Sequence, residues 1–155
     1  MVGWSLYEDL AFGKMNEKKF LWFMNQNGCT EDYLHMYKNE KNEVDFKNES
    51  EISELKSRQN CYSQFQTTFF GYNKLKHIDK LKNEKNRIFK FYFLFTDGLY
   101  EWTYNDKSKY TIQDYFHREK QRIIDMVHID IKDLTFITDT ITSRSPLPSD
   151  YLLYL

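Results

Sequence analysis

Residues 43–58, Glu-Val-Asp-Phe-Lys-Asn-Glu-Ser-Glu-Ile-Ser-Glu-Leu-Lys-Ser-Arg, predict two short strands joined by a polar turn over 47–50. Because side chains alternate along a strand, Ile52, Glu54 and Lys56 share one face of the second strand. The acid and the amine on that face stand about 6–7 Å apart at their Cα atoms. This hairpin therefore predicts a compact group of charged side chains at its centre.

Asp45, at the end of the first strand, is placed to converge on Glu54 and Lys56. Two carboxylates and one ammonium around a single point can hold a divalent cation and leave the amine to position a water molecule. The alternative is that Glu54 and Lys56 form a charge pair on an exposed sheet face, with or without Arg58, which is common on half-buried sheets.

The spacing Asp45-x8-Glu54-x-Lys56 resembles the PD-(D/E)XK nuclease superfamily, in which the Asp ends one strand and Glu-x-Lys lies on the next. That family usually adds a Glu on the preceding helix, and Glu17, four residues after Gly13, fits that place. This chain departs from the pattern in having Val in place of Pro before the Asp. The likeness covers about residues 5–105 in outline.

The resemblance implies a single α+β nuclease-like domain over 1–155, with a mixed central β-sheet flanked by helices and an αβββαβ core. It implies that Asp45, Glu54 and Lys56 are catalytic, and that Asp45 and Glu54, completed by Glu17, hold Mg²⁺ or Mn²⁺. It also implies a nucleic-acid substrate. Some RNA-cutting relatives add a His from the first helix; that helix has none here, which favours DNA.

Composition bounds the class of protein. At 155 residues the chain suits one domain with a substantial core, and its aromatic content of 18% is not that of a disordered chain. The formal net charge is −1, so no global positive field attracts nucleic acid. Nucleic-acid binding would have to rely on a local basic groove and a metal ion.

Cys29 and Cys61 lie far apart, with no CxxC and no paired His, which favours free thiols in a reducing, intracellular compartment over a zinc site. No signal peptide and no apolar run long enough to span a membrane is evident. Richness in Lys, Asn, Tyr and Phe is typical of AT-rich genomes, viral or cellular.

Periodicity and turn residues predict the following elements up to residue 104: a helix over 5–27, antiparallel strands over 30–38 and 43–46, a strand ending near 58, a loop over 59–72, a basic helix over 73–83, a central strand over 87–95 and an edge strand over 99–104. Beyond 104 the patterns predict a helix cap over 111–114, a strand over 124–131, a short helix or turn over 132–138 and an apolar end over 151–155 that docks onto a core edge or a second subunit.

Donors near the Glu-x-Lys strand are candidates for contacts with the phosphate backbone: Arg58, Gln64, Lys74 and Lys76. Lysine-rich helix surfaces are also commonly solubilising faces, and that alternative stays open for each lysine. A second function from another class is a non-catalytic module that binds a protein partner, for example a viral accessory protein. Nothing in the sequence requires or excludes a homodimer.

Overall fold

The computed structural model describes residues 6–27, 37–38, 45–81 and 87–154. Within these ranges the chain forms two α-helices and nine β-strands: α1 (Leu6–Asn27), β1 (Tyr37–Lys38), β2 (Phe46–Lys47), β3 (Glu51–Ser57), β4 (Thr67–Gly71), α2 (Tyr72–Leu81), β5 (Ile88–Phe95), β6 (Gly98–Tyr104), β7 (Thr111–His117), β8 (Arg122–Asp130) and β9 (Thr135–Thr138). Short 3-10 helices cover Ile131–Asp133 and Tyr151–Tyr154.

The strands form two sheets, one of six strands in the order β1-β2-β3-β5-β6-β9 and one of three strands in the order β4-β8-β7. β3 and β5 are parallel, and the chain between them contains β4 and α2. The other described strand pairs are antiparallel. The mixed sheet flanked by helices confirms the predicted α+β class, while the nuclease-like core remains a prediction.

β5 lies at the centre of the large sheet and is covered on both faces, as its aromatic run predicts. Phe91 and Phe93 pack in one core cluster with Leu75 and Ile78 of α2 and with residues of the smaller sheet. The alternate residues Tyr92 and Leu94 pack in a second cluster, which includes Phe20 of α1. The helices and the second sheet thus bury the two faces of β3 and β5.

Phe91→Ala is expected to lower the free energy of unfolding by about 3–5 kcal/mol, since it leaves a cavity in a close-packed core. Phe91 is fully buried, with its ring centroid 4.2 Å from that of Phe70 and 5.7 Å from that of Trp102. Denaturant unfolding measures the change. Phe65→Ala, the same substitution at an exposed loop position, should change stability by less than about 0.5 kcal/mol.

The predicted loop over 59–72 is wrong in part, because it contains β4. Thr68 and Phe70 are buried whereas Thr67 and Phe69 are exposed, which is the alternation of a half-buried strand. β4 pairs antiparallel with β8, about sixty residues further along the chain. A pairing at that separation leaves little trace in the local sequence.

Three predictions for the later part of the chain are also corrected. β6 is not an edge strand, because β9 pairs with it on its outer side. The short helix or turn predicted over 132–138 is a 3-10 turn followed by β9. Residues 111–114 do not cap a helix: they begin β7, whose β-branched and aromatic residues favour a strand once β8 pairs with it.

The predicted first helix is confirmed, and so is the hairpin predicted over 43–58 in the part that the structure describes, which begins at residue 45. Of the strand predicted over 30–38, residues 30–36 lie outside the described part of the chain.

The C-terminal 3-10 helix packs against α1. The buried ammonium of Lys19 on α1 donates hydrogen bonds to the carbonyl oxygens of Thr142 (2.6 Å) and Ser145 (2.8 Å), which ties the C-terminal segment to that helix. Neither described α-helix combines the length and apolar character needed to span a membrane.

Candidate active site

The β2–β3 hairpin brings Asp45 and Glu54 together. Phe46 pairs with Ser53, so the antiparallel register continues to place Asp45 opposite Glu54. The backbone N–H of Asp45 donates to Oε2 of Glu54 (3.1 Å), and the N–H of Leu55 donates to Oδ2 of Asp45 (2.9 Å). Each carboxylate is therefore held by the backbone of the opposite strand.

Glu54 is buried between two ammonium groups. Its Oε1 lies 3.2 Å from Nζ of Lys56, on the same strand, and 3.1 Å from Nζ of Lys74, in the first turn of α2. The Glu54 side chain is only 2% exposed, against 24% for Lys56 and 22% for Lys74. The Glu54–Lys56 pair therefore does not lie on an exposed sheet face, which was the alternative considered from the sequence.

Asp45 carries a charge that its surroundings do not fully compensate. Burial, and then repulsion from the Glu54 carboxylate, raise the pKa of Asp45 from 3.8 to about 6. The hydrogen bond from Leu55 and the charge of Lys56 oppose that rise, and the negative charge of Glu17 adds to it. Glu17 of α1 thus lies within electrostatic range of Asp45, and its predicted role as a metal ligand remains a prediction.

The oxygen ligands suit a hard divalent cation held by two carboxylates. No three His, Cys, Asp or Glu side chains converge to hold a metal ion in the described ranges. Mg²⁺ commonly binds proteins through one or two carboxylates and keeps several waters. Asp45 and Glu54 fit that role, because the positive charge of a cation that they held would offset both causes of the raised pKa of Asp45, its burial and its repulsion from Glu54.

Arg58 forms hydrogen bonds and ring contacts with neighbouring strands. Its Nε donates to Oγ1 of Thr68 (3.4 Å), a terminal nitrogen donates to the carbonyl of Phe69, and the guanidinium lies over the rings of Phe69 and Phe93. Burial lowers the pKa of Arg58 to about 10. Its guanidinium therefore joins the end of β3 to β4, and its contact with phosphate remains a prediction.

The other predicted phosphate contacts occupy two environments. Gln64 is exposed in the loop before β4. Lys76 is exposed on α2, with its ammonium 4.9 Å from the centroid of the Tyr72 ring. The contact of Gln64 and Lys76 with phosphate remains a prediction.

Two features were not predicted from the sequence. Lys74 appeared there as a surface donor, but β4 leads directly into α2 and places its ammonium on Glu54. Asn16, next to Glu17, has a fully buried side chain with no hydrogen-bond partner among the described residues. Its only signal in the sequence was its position one helical turn before the buried Phe20.

Comparison with known proteins leaves the site to be interpreted from its own chemistry. No protein-family model matches the sequence, and neither a curated protein nor a solved structure matches the chain significantly. What defines the site is a half-buried carboxylate, Asp45, beside a buried one, Glu54, with the ammonium groups of Lys56 and Lys74 next to Glu54 on an α+β scaffold.

Proposed function

We propose that the protein is a metal-dependent nuclease that hydrolyses phosphodiester bonds of nucleic acid, DNA in preference to RNA. The observation that carries the proposal is the pair of half-buried Asp45 and buried Glu54, with the Lys56 ammonium 3.2 Å from Glu54. The preference for DNA rests on the lack of a histidine in α1. Free Cys61 supports an intracellular location.

Asp45 and Glu54 are the residues that would hold Mg²⁺ or Mn²⁺, with the negative charge of Glu17 nearby. When bound, the cation acidifies a water molecule and offsets the charge that develops on the phosphate. The hydrogen bonds from the backbone N–H groups of Asp45 and Leu55 hold both carboxylates in place before the metal binds.

Lys56 and Lys74 supply positive charge at the mouth of the site. Both ammonium groups are partly exposed, whereas the carboxylate to which they are paired is not. In this proposal Lys56 positions the attacking water and stabilises the transition state, and Lys74 contacts the phosphate of the substrate. Such preorganised charges need little rearrangement during the reaction.

The test is cleavage of single-stranded DNA, duplex DNA and RNA with Mg²⁺ or Mn²⁺, against a control in EDTA. Metal-dependent cutting, fastest on DNA, is expected. Mn²⁺ should also raise the melting temperature, because a ligand that binds only the native state stabilises it. No cutting on any substrate, together with no stabilisation by Mn²⁺, would exclude the nuclease.

One observation favours a second function, a module that binds a protein partner. Leu152 and Leu153, in the C-terminal 3-10 helix, are 69% and 78% exposed, whereas the neighbouring Asp150 and Tyr154 contact α1. Adjacent exposed leucines are suited to an apolar contact with another chain, including a second copy of this one. Loss of self-association or partner binding in Leu152→Ser/Leu153→Ser would support this function.

A further inference from the structure

The β7–β8 hairpin extends past the end of its sheet. β4, the third strand of that sheet, ends at Gly71, which pairs with Met126. β7 and β8 continue to pair with each other for four more residues on each strand. The overhanging part, residues 114–125 (the hairpin arm), projects about 13 Å beyond β4.

The tip of the hairpin arm is an ordered turn that carries positive charge. The N–H of Lys120 donates to Nδ1 of His117 (3.2 Å), and the N–H of Gln121, whose φ is 50°, donates to the carbonyl of Arg118 (3.3 Å). Arg118, Lys120 and Arg122 place three cationic side chains at this turn, against the single carboxylate of Glu119. In a chain of net charge −1, this is a concentrated basic feature.

Exposed apolar side chains lie directly behind the basic tip. Tyr115 and Phe116 point to opposite faces of β7 and are 52% and 53% exposed, and Ile123 of β8 is 67% exposed. The only acids of the arm besides Glu119 are Asp114 and Asp125, which are paired at its base. A hydrogen bond and repulsion between their carboxyl groups raise the pKa of Asp114. The charge of the arm is therefore polarised, with its cations at the outer end.

The hairpin arm and the candidate active site are connected through the end of β4. Its overhang begins at the level of Gly71, and α2 begins at the next residue. Lys74, three residues after Gly71, reaches Glu54. The same end of β4 thus leads both to the hairpin arm and, within one turn of α2, to the carboxylate pair.

We propose that the hairpin arm binds the phosphate backbone of a nucleic acid on one side of the bond that the active site cuts. The identification of the ligand rests in part on the proposed nuclease function. A two-stranded ribbon has the width to enter the major groove of a duplex, Arg118, Lys120 and Arg122 contact phosphates, and the exposed aromatic rings contact bases or sugars. Charge complementarity favours this ligand over an apolar protein surface, because the cations occupy the outermost positions of the arm.

The test is direct binding, measured in EDTA so that it does not depend on cleavage. A fluorescent DNA duplex about two helical turns long, and one of its single strands, are titrated with the protein at several salt concentrations. In Arg118→Gln/Lys120→Gln/Arg122→Gln, affinity should fall at least about tenfold, and the slope of log affinity against log salt should become shallower by about 2–3. Lys107→Gln/Lys109→Gln/Lys132→Gln removes the same charge from exposed positions outside the arm and should bind like the wild type.

The outcomes separate this proposal from the nuclease itself. A selective loss of binding in the arm variant supports the proposal even if the wild type cuts no substrate. Equal binding by the arm variant and the wild type overturns it, even if the nuclease is active. A second result would also overturn it: the wild type sediments as a dimer and binds DNA no better than the arm variant, while Phe116→Ser/Ile123→Ser is a monomer. That result would assign the arm to contact between two copies of the chain. Thermal melting of each variant checks that the fold is intact.

Discussion

Lys56→Ala is expected to reduce metal-dependent cleavage of DNA by at least about 100-fold while the protein stays folded. Lys56 is the ammonium next to Glu54 on the same strand, and in the proposal it is the group that positions the attacking water. Its own side chain is partly exposed, so its loss leaves no large cavity. The Glu54 carboxylate keeps its contact with Lys74 at 3.1 Å, which limits the cost in stability. Single-turnover cleavage and circular dichroism measure the two effects.

The matched control is Lys47→Ala, which removes an exposed lysine from the neighbouring strand β2 and should leave cleavage unchanged. Lys74→Ala tests the other ammonium group. Because Lys74 is assigned to the phosphate of the substrate, this change should raise KM more than it lowers kcat. If Lys56→Ala unfolds the protein, the charges of this site are structural and the catalytic assignment fails.

Asp45→Asn is expected to make the metal-free protein more stable at pH 7 by about 3 kcal/mol, with a rise in melting temperature of about 6–12 °C. The pKa of Asp45 is raised from 3.8 to about 6, so the folded protein binds more protons than the unfolded chain between these values. The contribution of Asp45 to the stability of the wild type therefore falls as the pH rises through that window. Asparagine stays neutral, and its carbonyl can accept the hydrogen bond from Leu55.

Melting curves from pH 4 to pH 8 test this expectation. The variant and the wild type should be about equally stable near pH 4 and diverge up to about pH 6–7. Asp139→Asn, at an exposed position, corrects for the general effect of removing one negative charge. Added Mn²⁺ should stabilise the wild type near pH 7 and have little effect on Asp45→Asn. A stability difference between Asp45→Asn and the wild type that does not grow through this pH range would contradict the raised pKa of Asp45.

Much of the candidate site follows from local sequence, because it is built on a hairpin. The turn between Lys47 and Glu51 sets the register of β2 on β3, and that register places Asp45 opposite Glu54 and both near Lys56. The strand β5 and its position at the centre of the sheet follow equally directly from a nearly continuous aromatic run. In both cases neighbouring residues determine the outcome.

Contacts between segments that are distant in the sequence could not be predicted from local residue patterns. The pairing of β4 with β8 joins residues about sixty positions apart. β9 pairs with β6 although β7 and β8 of the second sheet lie between them in the sequence. The burial of Glu54 could not be predicted for the same reason, because it comes from the packing of α2 and the small sheet over the face of β3 that carries Glu54. The hydrogen bonds of Arg58 to Thr68 and Phe69 also depend on β4, whereas its predicted contact with phosphate remains a prediction.

The sequence by itself therefore determined the α+β class, the central strand and which acids and amine share one hairpin. Only the tertiary structure decided that Glu54 is buried between two lysines, that the pKa of Asp45 is raised to about 6 and that a basic hairpin projects from the end of β4. The physical reason is that strand and turn preferences act over a few residues, whereas burial and electrostatic environment depend on which distant segments pack around a group.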